Sequence, residues 1–139
     1  MIARIFALLL LASTAQAQPE FIRDSVLTLR SDDPNFGGFS GIHVFENGTD
    51  MLAITDRGHF QPAQLTRTNG RITGITLAPM LPVLDTKGRA LDSNNTDSEG
   101  LAIATDGTIF LSFESNNRIM RHETLTSAAE FLPKHPDFN

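Results

Sequence analysis

The sequence predicts an all-β protein, and two observations carry this prediction. Three turn dipeptides, Asn-Gly at 47–48 and 69–70 and Asp-Gly at 106–107, each lie between short runs that alternate in polarity or are wholly apolar. Such runs around these turns are typical of β-hairpins. No segment shows a sustained helical period with capping residues. With 40% hydrophobic and 19% charged residues, the composition is that of a folded protein rather than a disordered one.

The predicted strands flank these turns in chain order. They are residues 42–45 and 51–55, 64–67 and 72–77, 101–104 and 109–113, and a further pair that starts at 118–121. Residues 21–29 are predicted to form one more strand, because apolar residues such as Ile22 and Val26 recur along the segment.

Two of the hairpins repeat. Residues 40–57 align with residues 99–115, and the glycines at the two starts, Gly41 and Gly100, lie 59 residues apart. A repeat that begins with Gly, passes through an apolar hairpin and ends in an acidic residue fits a blade of a β-propeller. The period is long for a blade, and we expect residues 79–98 to be an inserted loop that accounts for the excess. A β-sandwich with two hairpins that are similar by chance is the alternative.

Two blades are too few for a complete propeller, because such a ring needs about four to eight. Each repeat also needs neighbours to cover its apolar faces. We therefore expect residues 18–139 to be the N-terminal part of a larger, apparently truncated propeller domain, containing about its first two blades. Residues 21–29 would be the outer strand that closes the ring against a last blade.

Residues 1–17 have the features of a secretory signal peptide. Arg4 precedes an apolar run at 5–12, and Ala15-Gln16-Ala17 forms a small-residue cleavage site. Cleavage after Ala17 predicts a secreted or periplasmic protein. No later apolar run approaches 18 residues, so we expect no membrane span in the mature chain.

Charge and cysteine content exclude several classes of function. The net charge is −5 and there is no basic cluster, which argues against nucleic-acid binding. The absence of cysteine excludes disulfides, thiol catalysis and Cys-bound zinc. Any metal must therefore be held by oxygen or imidazole ligands. The oligomeric state is left open.

The polar residues at the start and end of the repeated hairpins are the candidate site. Antiparallel pairing brings the two ends of each hairpin to the same end of its sheet, which we call the rim. The rim residues are Ser40, Asp56, Arg57, Glu99 and Glu114. Carboxylates that converge from several blades can bind a hard cation such as calcium. The alternative is that Asp56 and Glu114 are turn residues bonded to local backbone.

The oxygen-rich segment 92–99 adds a further metal ligand. It departs from the EF-hand pattern because Asp97 occupies the sixth position, which requires Gly. An irregular cation-binding loop and a solvated polar loop both remain open. Asp97 and Glu99 are the ligands expected from it, since they lie next to the predicted strand. The full predicted ligand set is Asp56, Asp97, Glu99 and Glu114.

Nucleophile motifs and histidines give weaker indications. Residues 38–42 (GFSGI) resemble a serine-hydrolase elbow, but Ile42 replaces the last required Gly. His43 lies in an apolar strand and is expected to be buried. His59 follows the second predicted strand and is expected to face the rim.

Four short motifs occur together in a specific order. They are residues 37–41 (GGFSG), 53–58 (AITDRG), 97–102 (DSEGLA) and 111–114 (LSFE). In order and spacing they resemble the phytase-like family of exported bacterial proteins, described as having the esterase-like activity of phytase, over roughly residues 20–139. The resemblance implies a β-propeller, a secreted or periplasmic location and hydrolysis of ester or phosphoester bonds.

The leading hypothesis is therefore an exported hydrolase of a small-molecule ester or phosphoester, with a cation such as calcium at the mouth of the propeller channel. Asp56, Glu99 and Glu114 would act as metal ligands or general bases, and Arg57 would hold an anionic substrate group. A non-catalytic propeller that binds a ligand or a protein, and a lactonase-like propeller enzyme, are the alternatives.

Overall fold

The computed structural model describes residues 25–133, which contain nine β-strands and no helix. The strands are β1 (Phe39–Val44), β2 (Asp50–Thr55), β3 (His59–Thr68), β4 (Arg71–Leu77), β5 (Leu81–Pro82), β6 (Ser98–Ile103), β7 (Ile109–Phe113), β8 (Arg118–His122) and β9 (Glu130–Phe131). The all-β prediction is confirmed. Within the described residues, no helix is available that could cross a membrane. The predicted signal peptide lies outside them.

The strands form two antiparallel sheets. The first sheet has the order β1-β2-β3-β4, with β5 paired to the other end of β3, and the second sheet has the order β6-β7-β8-β9. Each sheet is a meander in which consecutive strands pair, so all three predicted hairpins are confirmed. The second hairpin turns tightly because Asn69 and Gly70 both adopt positive φ angles, of 50° and 81°.

The strand β3 begins five residues earlier than predicted, at His59 instead of residue 64. Pro62 lies inside it, where a proline usually argues against a strand because it has no N–H to donate. The pairing of β3 with β4 ends at Ala63, and its pairing with β5 begins only at Phe60. Pro62 therefore lies in the gap between these two ladders. The side chain of Gln61 bridges the gap by donating to the carbonyls of Pro62 and Ala78.

The strand predicted at 21–29 is not formed over residues 25–29, and residues 21–24 lie outside the described part of the chain. Thr28 and Leu29 instead line a cavity together with Ile75 and Leu77 of β4. The segment thus passes over the first sheet rather than pairing with an edge strand. Residues 79–98 were expected to be an inserted loop, and up to residue 97 they are largely irregular and contain only β5 and one isolated bridge, between Leu84 and Ala90. Ser98 is instead the first residue of β6, since it pairs with Phe113 of β7.

The main hydrophobic core lies between the two sheets. Its buried residues are Leu52, Ile54, Phe60, Val83, Ile109, Leu111, Phe113, Met120 and Ala129. The sheets approach each other closely at Gly41 of β1, where an added Cβ would lie 2.9 Å from the Cβ of Leu101 on β6. Gly41 is therefore required for the sheets to pack this closely. A smaller cluster, built on Met51, Ala63 and Leu65, lies on the opposite face of the first sheet.

Candidate functional site

The predicted hairpin ends lie together at the rim in both repeats. The backbone N–H of Asp56 donates to the carbonyl of Gly38 at 2.7 Å, just beyond the β1–β2 ladder. At the equivalent position, the N–H of Glu114 donates to the carbonyl of Asp97 at 2.9 Å. An equivalent hydrogen bond therefore closes each of the two hairpins. The repeat in the sequence is thus also a repeat in the structure.

The rim ends of the two sheets are also joined to each other. The Ser98 hydroxyl donates to the carbonyl of Thr55 at 2.6 Å, and both residues are fully buried. Thr55 precedes Asp56, and Ser98 precedes Glu99. This hydrogen bond thus holds the acidic residues that follow it at one end of the two-sheet unit.

A β-bulge lies at the same place in each repeat. The register shifts between Phe39 and Gly41 in the first sheet and between Ser98 and Gly100 in the second. The residues inside the bulges are Ser40 and Glu99. Bulges next to a sheet end re-aim the side chain that they insert. The Ser40 hydroxyl lies 3.5 Å from the carbonyl of Ile54, whereas the Glu99 side chain is exposed.

Asp56 and Arg57 form a loose, exposed pair. The Arg57 Nε lies 4.0 Å from the Asp56 Oδ1, and the guanidinium also donates to the carbonyl of Pro34 at 3.3 Å. The Asp56 carboxylate packs against Gly38, where a side chain would collide with it. His59 lies at the rim as predicted, with its Nδ1 3.0 Å from the carbonyl of Arg57. His43, expected to be buried, is only half-buried and contacts Phe45 edge-on.

The second repeat supplies two exposed carboxylates that have no partner in the described part of the chain. Among the described residues, the side chains of Glu99 and Glu114 make no hydrogen bond or ion pair, and both are exposed. Neither Glu114 nor Asp56 accepts a hydrogen bond from the local backbone through its side chain there, as the turn-residue alternative required. These carboxylates are therefore free to accept a proton or to bind a ligand.

The loop that carries Asp97 is held by Arg118, a residue that the sequence did not single out. Its guanidinium lies 3.9 Å from the centre of the Phe113 ring and donates to the carbonyls of Asn95 and Asn116. Partial burial lowers the pKa of Arg118 from its usual value. Asp97 in turn accepts a hydrogen bond of 3.0 Å from the Ser115 hydroxyl. The only sequence signal for this role was the place of Arg118 opposite Phe113 on the next strand.

The predicted ligands do not form a preassembled metal site within the described part of the chain. No three histidine or acidic side chains there are close enough together to hold a metal ion. The structure brings Asp56 and Glu114 to one end of the molecule through their backbone contacts, but it does not gather their carboxylates with those of Asp97 and Glu99. Calcium binding stays a prediction.

A concave region lies at the end of the sheets opposite the rim. It is a cavity of about 590 Å³ that opens between them, near the turns at 47–48 and 106–107. Its lining is mainly apolar and includes Phe45, Met51 and Ile103. The sequence did not predict this cavity, since it arises from the packing of two sheets and not from a local pattern.

The comparison with protein families agrees with the motifs. Residues 34–138 match the family described as phytase-like, with the esterase-like activity of phytase. All four motifs that carry the resemblance lie inside this range. No curated protein and no solved structure matches the chain.

Proposed function

The chain belongs to the phytase-like family, and from this membership we propose that it is a hydrolase that cleaves an ester or phosphoester bond of a small molecule at the rim. The family match carries the proposal. The rim supports it, because exposed carboxylates and a guanidinium are carried at the same end of the two sheets. These are the groups that hydrolysis of an anionic ester requires.

The two sheets are proposed to be consecutive blades of a β-propeller, the first two of a larger ring formed by a domain that begins at residue 18. Each sheet contains a meander of four antiparallel strands, to which the first sheet adds the short strand β5. The first strands of the two sheets, β1 and β6, contact each other at Gly41 and Leu101. This is the arrangement of inner strands around a propeller channel. The rim would then surround the mouth of that channel.

Arg57 is proposed to bind the anionic group of the substrate. Its side chain is 56% exposed and lies 4.0 Å from Asp56, so the guanidinium donors other than the one bonded to the Pro34 carbonyl remain available. A planar guanidinium binds phosphate or carboxylate oxygens through two parallel hydrogen bonds. Asp56 then orients the guanidinium rather than neutralising it.

Glu99 and Glu114 are proposed to act as general bases. An unpaired carboxylate takes a proton from water as the water oxygen attacks the ester carbon or phosphorus. The bond to the leaving oxygen breaks, and the carboxyl group returns the proton to that oxygen, which departs as an alcohol. Glu99 is the better placed of the two, because the bulge that contains it adjoins the bond between Ser98 and Thr55 and so fixes its backbone.

Calcium is proposed as a cation for Asp56, Asp97, Glu99 and Glu114. The described residues do not form a complete site, so no catalytic step is derived through the ion. Binding would relieve repulsion among these carboxylates and would therefore raise the melting temperature.

Export is proposed from the features of residues 1–17, which lie outside the described residues. The mature protein would begin at Gln18 in the periplasm or the medium. Sequencing the N-terminus of exported protein tests this proposal, and a chain that still begins at Met1 would contradict it.

Turnover of p-nitrophenyl phosphate and p-nitrophenyl acetate tests the hydrolase proposal. Glu99→Gln keeps the shape of the side chain but removes its charge, and we expect it to lower kcat by about 10²-fold or more. Arg57→Gln should mainly raise KM for the phosphate ester. Glu46→Gln, an exposed acid at the opposite end of β1, is the matched control and should change neither parameter.

Three other outcomes have clear meanings. Equal turnover in wild type, Glu99→Gln and Arg57→Gln would mean that hydrolysis takes place at a site other than the rim. A melting temperature that rises in calcium relative to chelator, without turnover of either ester, would indicate a binding propeller. Cleavage of a lactone but of neither ester would indicate a lactonase-like enzyme.

A further inference from the structure

The cavity of about 590 Å³ at the end opposite the rim, which we call the distal cavity, lies between two walls that both belong to the described chain. Strands β2 and β3 and the end of β4 form the first wall. The turn between β6 and β7 and the segment after β8 form the second. The cavity therefore does not depend on what covers the outer faces of the sheets. In the proposed larger ring it would lie between two consecutive blades.

The distal cavity arises because the residues of β2 and β3 that face the second sheet become polar towards this end. Near the rim the facing pair is Ile54 and Phe60, and both side chains are fully buried in the core. Strand alternation places Asp50 and Gln64, the last pair of this ladder, on the same face. Asp50 is half-buried and Gln64 is exposed. This polar pair leaves open the space that apolar side chains fill nearer the rim.

The second wall of the distal cavity is apolar. It contains Ile109, which is buried, and Ile103 and Leu125, which are half-buried and pack against the main core. Leu52 of β2 adds apolar surface on the first wall. A mainly apolar lining with a few polar groups, and a volume between about 300 and 1,000 Å³, are typical of small-molecule sites. These features favour a ligand with an apolar body.

Asp50 sets the charge that such a ligand should have. Among the described residues, it is the only charged one that lines the distal cavity. Its carboxylate oxygens accept hydrogen bonds from Asn47 Nδ2 at 2.9 Å and from Gln64 Nε2 at 3.3 Å. Both donors are uncharged amides, and within residues 25–133 Asp50 forms no ion pair. A carboxylate has about four acceptor positions, so it can accept further N–H donors. Its negative charge attracts a cation and repels an anion.

We propose that the distal cavity binds a small amphipathic cation, a molecule with an apolar chain and a terminal ammonium group. The ammonium group donates hydrogen bonds to the Asp50 carboxylate, and the apolar chain packs against Leu52, Ile109 and Leu125. The net charge of −5 also favours a cationic ligand over an anionic one. The site lies away from the rim, so the proposal is independent of the hydrolase proposal.

Isothermal titration calorimetry of the 139-residue chain with three ligands of equal chain length tests the proposed ligand class. The ligands are octylammonium, the neutral octanol and the anionic octanoate. We expect octylammonium to bind about fivefold more tightly than octanol, because it adds one partly exposed ion pair. Octanoate should bind more weakly than octanol. No ester is present, so a failed titration and a failed hydrolase assay remain distinguishable.

Two variants locate the binding site. Asp50→Asn keeps the shape of the side chain but removes its charge, so it should raise the Kd of octylammonium about fivefold and leave that of octanol unchanged. Ala78→Leu places a larger apolar side chain at an exposed position of the cavity lining, and should weaken binding of both ligands with an unchanged circular dichroism spectrum. Asp32→Asn, an exposed change before β1, is the matched control and should bind like the wild type.

Three results would overturn the proposal. Equal affinity of the wild type for octylammonium and octanol would mean that the charge of Asp50 plays no part in binding. An Asp50→Asn variant that keeps the preference for octylammonium would place the ammonium group at other acidic residues, such as those of the rim. Failure of octylammonium to bind would mean that the distal cavity is not a ligand site or that another part of the protein fills it.

Discussion

The Ser98 hydroxyl and the Thr55 carbonyl form a buried hydrogen bond of 2.6 Å between residues that are 43 positions apart in sequence. Thr55 is the last residue of β2, and Ser98 is the first residue of β6. The carbonyl of Thr55 also accepts from the N–H of Gly58 at 3.0 Å, so it anchors the rim turn and the second sheet at once. The acidic residues of the rim depend on this bond for their relative placement.

Removal of that hydroxyl should loosen the rim. We expect Ser98→Ala to lower the free energy of unfolding by about 1 kcal/mol, because one buried hydrogen bond is lost while the Thr55 carbonyl keeps its bond to Gly58. Urea denaturation measures the change. Ser93→Ala, at an exposed serine of the preceding loop, is the control and should have almost no effect. Equal stability of the two variants would mean that the sheets are held together by apolar packing alone.

The hairpins were predictable because their signals are local. Asn69-Gly70 has the two positive φ angles that its residue types favour, and the strands beside it alternate in polarity. The start of β3 was missed because Pro62 argues against a strand unless the gap between two ladders is known. The repeat was also predictable, since Gly41 and Gly100 mark the same bulge.

The candidate site was predictable only in part. Antiparallel pairing placed Asp56 and Glu114 correctly at the rim, because the end of a hairpin follows from its turn. The sequence could not show how far apart their carboxylates lie, which depends on the packing angle between the sheets. The role of Arg118 could not be predicted either, because the Asn95 carbonyl to which it donates lies 23 residues away in the sequence.

The two equivalent glycines offer a matched test of sheet packing. Gly41→Ala would place a Cβ 2.9 Å from both the Ile54 Cγ2 and the Leu101 Cβ, and we expect it to lower the free energy of unfolding by about 1–3 kcal/mol. Gly100→Ala would place a Cβ 2.6 Å from the Ser112 hydroxyl, which can rotate away, and 3.8 Å from the Ser112 Cβ, which is an ordinary contact. Chemical denaturation in dilute solution should show the larger loss for Gly41→Ala. A larger loss for Gly100→Ala would contradict the close packing of the two sheets at Gly41.

Asp85 should contribute to stability at neutral pH and lose this contribution in acid. Hydrogen bonds from the backbone and the guanidinium of Arg89 lower the pKa of Asp85 from 3.8 to about 2. Because the folded-state pKa lies below the unfolded value, the contribution is complete above pH 3.8 and disappears as the pH falls through about 2. We expect Asp85→Asn to be less stable than wild type at pH 6, and this difference to shrink towards pH 2.

The control for that titration is Asp32→Asn, an exposed change before β1. It tests for a general effect of removing one negative charge and should leave the shape of the stability profile unchanged. If the gap between Asp85→Asn and wild type were the same at pH 6 and pH 2, the contacts of Asp85 with Arg89 would not be the cause. In parallel thermal melts at high salt, the exposed ion pair between Asp85 and Arg89 should contribute less to stability, because salt screens the attraction between the two charges.

His122 should make the protein less stable in mild acid. The side chain is 1% exposed, its Nδ1 donates to the carbonyl of Ser127 at 3.2 Å, and its Nε2 is buried with no hydrogen-bond partner among the described residues. Burial lowers the pKa of His122 below the usual 6.5, while the bond to Ser127 opposes this shift in part. The unfolded chain thus binds a proton at a higher pH than the folded chain does. The free energy of unfolding should therefore fall as the pH drops below 6.5.

A variant that cannot titrate isolates this effect. His122→Gln keeps a donor for the Ser127 carbonyl but has no imidazole, so its stability should change less between pH 7 and pH 5 than that of wild type. The packing against Phe60 is altered, and some loss of stability at pH 7 is expected, because the two rings meet edge-on with centres 6.0 Å apart. The change with pH, not the absolute stability, is therefore the quantity to compare. His43→Gln, at a half-buried ring in β1, is the matched control. If His43→Gln reduced the change in the free energy of unfolding between pH 7 and pH 5 and His122→Gln did not, protonation of His122 would not be the cause of the loss of stability in acid.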